Sequence, residues 1–329
     1  MLSPVLTVSD DLHDLPLTPP KKPFPWNQLP QELQVLVLQN LCRSDLDKCQ
    51  LLNRKLFAFI RSNERWMKKR IIENLNIRMG NGPGFQLHVK CNEEGISETK
   101  ELGTFNSIPR PPTNHSTGAE NLPPPLSPSI HSQLRKVFRN ACIFQLQIDK
   151  GSLTDELLLT VLFCVQDADC GVNQLLMEGL SVANMTSSVF LHFLRTLAPS
   201  TVILCRVNDF SRDKFSPEVL EFIVTTQRFS LNGFRGDLLP LDDDVLAHLT
   251  ATDFYIASPN MITISGLRAF VERLTSGKQT VNRGIICTNF PIDGVSLPIA
   301  PKNTLRVVWG GNYVSFSTDR TQDETKLPE

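Results

Sequence analysis

From residue 146 onward the chain repeats one local design, and that repetition narrows the folds open to it more than any other feature. Short apolar runs of strand character recur at Leu146-x-Ile148, Leu175-x-Met177, Ile203-x-Cys205, Phe229-x-Leu231, Phe254-x-Ile256, Ile285-x-Cys287 and Leu305-x-Val307. Their first residues are 29, 28, 26, 25, 31 and 20 positions apart. Five of the gaps hold a helix start of one kind. Thr154, Thr186, Ser216, Asp242 and Thr263 stand where an N-cap belongs, because a side-chain oxygen there can accept one of the unpaired amide hydrogens of the first turn. Each has an apolar residue before it and a second one four positions after it: Leu153 with Leu158, Met185 with Phe190, Phe215 with Leu220, Leu241 with Leu246, Ile262 with Leu267. Such pairs clip the incoming chain to the helix as a hydrophobic staple. Val161, Phe193, Ile223, Leu249 and Phe270 continue the buried stripe, and Pro217 occupies a first helical position, where its missing N–H costs nothing.

A strand–helix unit of about 25–30 residues cannot bury its apolar face alone, so neighbours must stack. Two architectures satisfy this: a stacked array of units, or a doubly wound α/β domain. The shared staple favours the array, which resembles a leucine-rich-repeat solenoid in a loose form. No unit carries Leu-x-x-Leu-x-Leu-x-x-Asn in full, and the asparagine ladder of that family is expected to be missing. Solenoids of this kind bind partners on the concave strand face, through the residues between the apolar ones. Gln147, Arg206, Asn232, Tyr255 and Arg306 are the candidate target-binding residues, with Gln145 and Gln174 beside them. Trp309, before Gly310-Gly311, is read as a cap on the end of the array.

A second organised stretch lies near the amino end. Pro30 pre-sets the first turn of a helix, and Leu33, Val37 and Leu41 follow at helical spacing. Ser44 or Asp45 can cap a second short helix over Leu46 and Cys49, and Leu52, Leu56, Phe59 and Ile60 supply a third apolar set. Three helices this short cannot bury all these residues among themselves, so the stretch wants a partner. Leu29-Pro30-x-Glu32-Leu33, Asp45-Leu46, Leu52-Asn53-Arg54-Lys55-Leu56 and the closing Trp66 resemble an F-box, over residues 24–66. The segment Leu51-Leu52-Asn53 stands where many F-boxes have Val-Cys, which leaves the register of the third helix open by one or two positions. The resemblance implies docking on a Skp-family adaptor through Leu29, Pro30, Leu33, Val37, Leu41, Leu46 and Leu52. Through that adaptor it implies membership of a cullin-RING ubiquitin ligase. The order of parts along the whole chain is similar to that of the large nematode F-box families.

Between and around these stretches the sequence sets boundaries. Residues 1–23, with Asp10, Asp11, Asp14 and several prolines, read as disordered. Arg54, Lys55, Arg61, Arg65, Lys68, Lys69 and Arg70 face Glu64 alone, a cluster that reads as a solvated helix face or as a surface steering an acidic partner. Residues 71–105 read as the end of a helix followed by a β-hairpin, since Phe85, Leu87 and Val89 alternate before the turn at Asn92-Glu93-Glu94-Gly95. Seven prolines fall between Asn106 and Ile130, which makes residues 106–130 a linker or exposed loop. The repeats then span 131–315, and 316–329 read as a disordered tail. Thr18-Pro19 and Ser127-Pro128 fit proline-directed phosphorylation sites but are commonplace in such segments.

Chemistry-bearing patterns are scarce. No phosphate-cradling glycine loop and no Gly-x-Ser-x-Gly occurs. The eight cysteines form no Cys-x-x-Cys pair, mostly sit in apolar runs, and read as buried reduced thiols. Asp242-Asp243-Asp244 suits a helix first turn better than a metal site. A net charge of −1 argues against a nucleic-acid partner, and no run reaches the length of a membrane span.

The expected fold is thus α+β and multidomain: a small three-helix module, then an α/β repeat solenoid. The expected function is that of a non-catalytic substrate receptor in a Skp–cullin–F-box-type ligase, cytoplasmic or nuclear, without cofactor or metal, presenting an unidentified protein target. Two rivals stand beside it. One is a scaffold that uses the helices without a cullin; the other is an α/β enzyme whose groups converge only in three dimensions.

Overall fold

The computed structural model describes residues 26–78, 84–93, 96–106, 128–168, 170–234, 237–292 and 305–318. It divides into two compact units, Met1–Lys68 and Lys69–Glu329. The expected disordered amino-terminal segment, most of the proline-rich stretch and the residues after Thr318 lie outside the described residues, as do Thr18 and Ser127.

In the first unit, α1 (Gln31–Gln39) starts directly after Pro30. The helix α2 (Arg43–Leu52) begins earlier than the expected cap at Ser44 or Asp45. Its N-cap residue is Cys42, whose thiol lies 3.1 Å from Asp45 Oδ2. Asn53 caps α3 (Arg54–Ser62), its Oδ1 accepting the Leu56 N–H at 2.8 Å. Leu38, Leu46, Ile60 and Met67 form a small fully buried core, with Trp26, Val35, Leu41, Cys49, Leu56 and Phe59 packed around it.

The second unit is mixed α/β and holds a sheet of eleven strands, mostly parallel, in the order β10-β11-β9-β8-β7-β6-β5-β4-β1-β2-β3. Its parallel part comprises β1 (Arg70–Arg78), β4 (Ala141–Thr154), β5 (Gly171–Asn184), β6 (Thr201–Val207), β7 (Arg228–Gly233), β8 (Asp253–Ile256) and β9 (Arg283–Cys287). Antiparallel pairs close both ends: β2 (Gly84–Glu93) with β3 (Ile96–Asn106), and β10 (Leu305–Gly310) with β11 (Tyr313–Thr318). The helix α4 (Pro128–Phe138) precedes β4 and reaches back into the stretch read as linker. The others are α5 (Asp155–Asp167), α6 (Ser187–Leu197), α7 (Pro217–Val224), α8 (Asp243–Ala247) and α9 (Ile264–Thr275), one between each consecutive pair of strands from β4 to β9.

The strand order runs in one direction through the parallel part of the sheet. A doubly wound sheet reverses its order at a switch point, whereas here β4 to β9 follow one another without reversal and consecutive helices touch in a single row. The register then builds two apolar ladders across the sheet. Leu75, Leu146, Leu175, Val202, Phe229, Phe254, Gly284 and Phe316 form one; Ile77, Ile148, Met177, Leu204, Leu231, Ile256, Ile286 and Val314 form the other. All are buried, and with the helices they make one continuous core. Glycine occupies its rung because a Cβ there would lie 2.3 Å from Phe254 Cζ; the neighbouring phenylalanine fills the space instead.

All five expected N-cap residues hold that position. Thr154, Asp242 and Thr263 accept the cap hydrogen bond, from Leu157, Val245 and Gly266. All ten staple residues are buried. A device not foreseen joins the units sideways: the first residue of one helix accepts the backbone N–H of the next helix's N-cap residue. Asp155 Oδ1 takes the Thr186 N–H at 2.8 Å, and Ser187 Oγ takes the Ser216 N–H at 3.2 Å. Asp243 Oδ1 takes the Thr263 N–H at 2.7 Å. Pro217, first in α7, offers no such oxygen, and there Arg212 donates to the Asp242 carboxylate at 3.0 Å instead. Asp243 also accepts the Thr263 hydroxyl at 2.6 Å, so within this triplet of acids one carboxylate caps its own helix and the next serves its neighbour's.

Several expectations are corrected. Residues 70–78 are a strand, not a helix end, and belong to the same sheet as the repeats; the hairpin at 84–106 extends that sheet. Residues 316–318 are the end of β11 rather than tail. In β6 and β9 the inward residues are Val202, Leu204 and Ile286, so Ile203, Cys205, Ile285 and Cys287 face the other way. A single asparagine rung joins two neighbouring loops: the buried Asn260 has its backbone carbonyl bound by the Asn289 amide and donates its own amide to the Cys287 carbonyl at 2.5 Å.

Candidate functional site

Helices facing water normally present polar side chains, and the first unit departs from that rule. Against four fully buried core residues it exposes Leu33, Leu36, Val37, Leu51, Leu52, Phe57 and Trp66. Leu33, Leu36 and Val37 share one face of α1 by their spacing, and Leu51 is 86% exposed at the end of α2. Of the expected anchors, Pro30, Leu33, Val37 and Leu52 are exposed, and Leu29 and Leu41 are half-buried. Leu46 is fully buried: it is part of the module's own core and not of its surface. Leu36, Leu51, Phe57 and Trp66 complete the exposed set. Arg43 and Arg61 both approach Glu64 at 3.4 Å, the guanidinium of Arg65 lies 4.9 Å from the centre of the Trp66 ring, and Arg54 and Lys55 are exposed.

In the second unit the sheet face opposite the helices carries three cross-strand rows. Asn74, Gln145, Gln174, Thr201, Arg228, Asp253, Arg283, Ser317 and Arg306 pair in register along the end where the parallel strands begin. Asn76, Gln147, Leu176, Ile203, Ser230, Tyr255, Ile285, Ser315 and Val308 form the middle row, and Arg78, Asp149, Glu178, Cys205 and Asn232 the third. All five candidate residues of the repeats reach this face. Gln147 and Tyr255 share the middle row, Asn232 lies in the third, and Arg306 lies at one end of the first. Arg206 reaches the third row from a bulge, its φ of 52° turning the strand so that its guanidinium meets Glu178. Trp309 pairs with Val314 in the β10–β11 ladder, and its side chain lies outside the described residues.

Among the described residues, this face carries at least two hollows. One, of about 570 Å³, lies between the first and middle rows around Thr201, Ile203, Arg228, Tyr255, Arg283 and Ile285. The other, of about 490 Å³, is lined by Arg78, Asp149, Lys150, Glu178, Arg206 and Phe234 among others. There the buried Asp149 accepts from Asn76 and twice from Arg78, at 3.1–3.2 Å, and its carboxylate raises the pKa of the Arg78 guanidinium. The charges of this second hollow are therefore largely paired with one another. Arg228, Arg283, Ile203 and Ile285 were not among the expected residues.

The cysteines with described side chains form no disulfide; Cys164 and Cys170 are buried, while Cys42 and Cys142 are exposed, against the expectation of a buried set. Burial pushes both Cys164 and Cys170 up to about 12, from an ordinary 9.0, with Asp167 adding to the shift at Cys164. The folded state thus holds both as thiols where the unfolded chain would ionise. Their contribution to stability is complete below pH 9 and is lost as pH rises towards 12. Iodoacetamide at pH 8 should label Cys42 and Cys142 rapidly, and Cys164 and Cys170 only once denaturant is added; equal rates at all four would contradict this burial. Among the described residues no cluster of three or more His, Cys, Asp or Glu is placed to hold a metal ion, and no helix is long and apolar enough to cross a membrane. Compared with protein families, curated proteins and solved structures, the chain matches none.

Proposed function

We propose that the protein is the substrate-recognition subunit of a Skp–cullin–F-box-type ubiquitin ligase. The observation that carries this reading is the imbalance in the first unit, where seven large apolar side chains stay exposed around a core of four. That is the surface a helix-docking partner requires. In this reading α1–α3 form an F-box and dock on the adaptor through Pro30, Leu33, Val37 and Leu52, with Leu36 and Leu51 alongside. The second unit is a loose leucine-rich-repeat solenoid. Its unreversed strand order, its repeated caps and its one asparagine rung support that assignment. The open sheet face then holds a protein target, and the chain catalyses nothing itself: it raises the target's local concentration beside the ligase.

Co-expression with a Skp-family adaptor tests the first half. Wild type should capture the adaptor, and Leu33→Asp with Leu52→Asp should weaken capture at least 100-fold. Both positions are exposed, so thermal melting of the variant should be unchanged. Adaptor capture without cullin or RING subunits would favour the scaffold reading. No capture by wild type, or undiminished capture by the folded double variant, would end the proposal.

A further inference from the structure

Resting on the reading of the open sheet face as the target surface, we infer that the hollow beside Tyr255 takes an extended protein segment in which acidic and apolar residues alternate. Arg228, Arg283 and Arg306 occupy every second strand of the first row, and all three are exposed. Strands lie about 4.8 Å apart, which puts successive arginines about 10 Å apart along a line crossing the sheet. An extended segment covers that distance in about three residues, and in the polyproline conformation every third side chain points the same way. Among the described residues the row's only acidic member is Asp253. Its carboxylate already accepts from Thr252 at 2.9 Å and Asn282 at 3.3 Å, and Arg228 lies 3.7 Å away. One carboxylate among three guanidinium groups leaves the row with a positive surplus.

The adjoining row supplies the other half of the code. Ile203, Tyr255 and Ile285 line the hollow from the middle row, and Tyr255 is 42% exposed. Aliphatic side chains beside the arginines suit an apolar side chain of a peptide. They suit nucleic acid poorly, since stacking of successive bases needs a run of aromatic rings and this row has one. An acidic–apolar segment satisfies both rows at once, with carboxylates or phosphorylated side chains on the arginines and leucine-like residues against Ile203 and Ile285.

The test uses the full chain and a fluorescein-labelled twelve-residue peptide made of four Glu-Leu-Ser repeats, followed by anisotropy. The expected result is saturable binding that weakens as salt rises. It should fall at least tenfold with Arg228→Glu plus Arg283→Glu, and less, but measurably, with Arg306→Gln. The Leu33→Asp and Leu52→Asp double variant should bind the peptide as wild type does, so a failure of adaptor capture and a failure here are read separately. Equal binding of the glutamine-for-glutamate peptide, or no loss in the charge-reversed protein, would overturn the inference. So would tighter arginine-dependent binding of a labelled single-stranded DNA twelve-mer. A rise in peptide affinity on removing residues 319–329 would seat the chain's own Asp319, Asp323 and Glu324 on the row and overturn the assignment to a partner.

Discussion

Phe270→Ala is expected to cost about 3–5 kcal/mol, the range for deleting a buried aromatic side chain, out of the 5–15 kcal/mol that folds an ordinary domain. Phe270 is fully buried in α9. It meets Phe316 edge-on at 5.4 Å and Phe254 at 5.9 Å, and the Arg273 guanidinium lies 5.4 Å from its ring. Removing the ring takes an edge-on partner from both neighbouring rings, although Phe254 and Phe316 keep each other at 6.2 Å, and Phe254 already fills the space above Gly284, so little is free to collapse into the gap. Each strand and helix of this region touches mainly its neighbours in sequence order, and the loss should therefore be graded along the sheet. Hydrogen exchange should quicken first in β8, β9 and β11, while β4 and β5 retain protection; urea unfolding followed by circular dichroism gives the total. A cost below about 1 kcal/mol, or uniform loss of protection from β4 to β11, would contradict this picture of the packing.

The second large effect concerns the first unit. Ile60→Asp should unfold α1–α3, since a carboxylate would have to sit among Leu38, Leu46 and Met67. An unpaired ionised group in such surroundings costs several kcal/mol, and a unit of about 40 residues has little stability in reserve. Amides of α1–α3 should lose exchange protection while those of β4–β7 keep theirs, and adaptor capture should vanish with the fold. The contrast with Leu33→Asp, which alters the surface and leaves the helices intact, separates folding from docking. Persisting helix protection in Ile60→Asp would show that the small core is not what holds the module.

Much of this architecture can be read from the chain because its signals are local. A cap and its staple lie within six residues, and Thr154, Thr186, Ser216, Asp242 and Thr263 all hold the position their chemistry implies. What escaped depended on partners far away or on parity. Residues 74–78 alternate as a strand should, yet the pairing partner of β1, Ala141–Asp149, lies beyond the hairpin and the proline-rich stretch. In Val202-Ile203-Leu204 three apolar residues adjoin, and a period of two cannot say which ones face the helices. Only register against Phe229 and Phe254 does so, and the same ambiguity hid Ile203 and Ile285 from the candidate surface. Leu46 looked like an anchor because apolar residues of a docking face and of a core are chemically alike. The sideways ties from Asp155, Ser187 and Asp243 join residues 20 to 31 positions apart, which no local pattern reveals.

The two antiparallel hairpins that flank the parallel strands also bound the parallel series at both ends. The outer edge of β1 is occupied by β2 and that of β9 by β11, each running against the parallel direction. No parallel strand is left open at either end for a further strand–helix unit to continue the series. Growth by terminal addition is thereby closed. A longer parallel series could arise only by inserting a whole unit between existing ones, where the staple and the sideways tie would both have to be remade on each side.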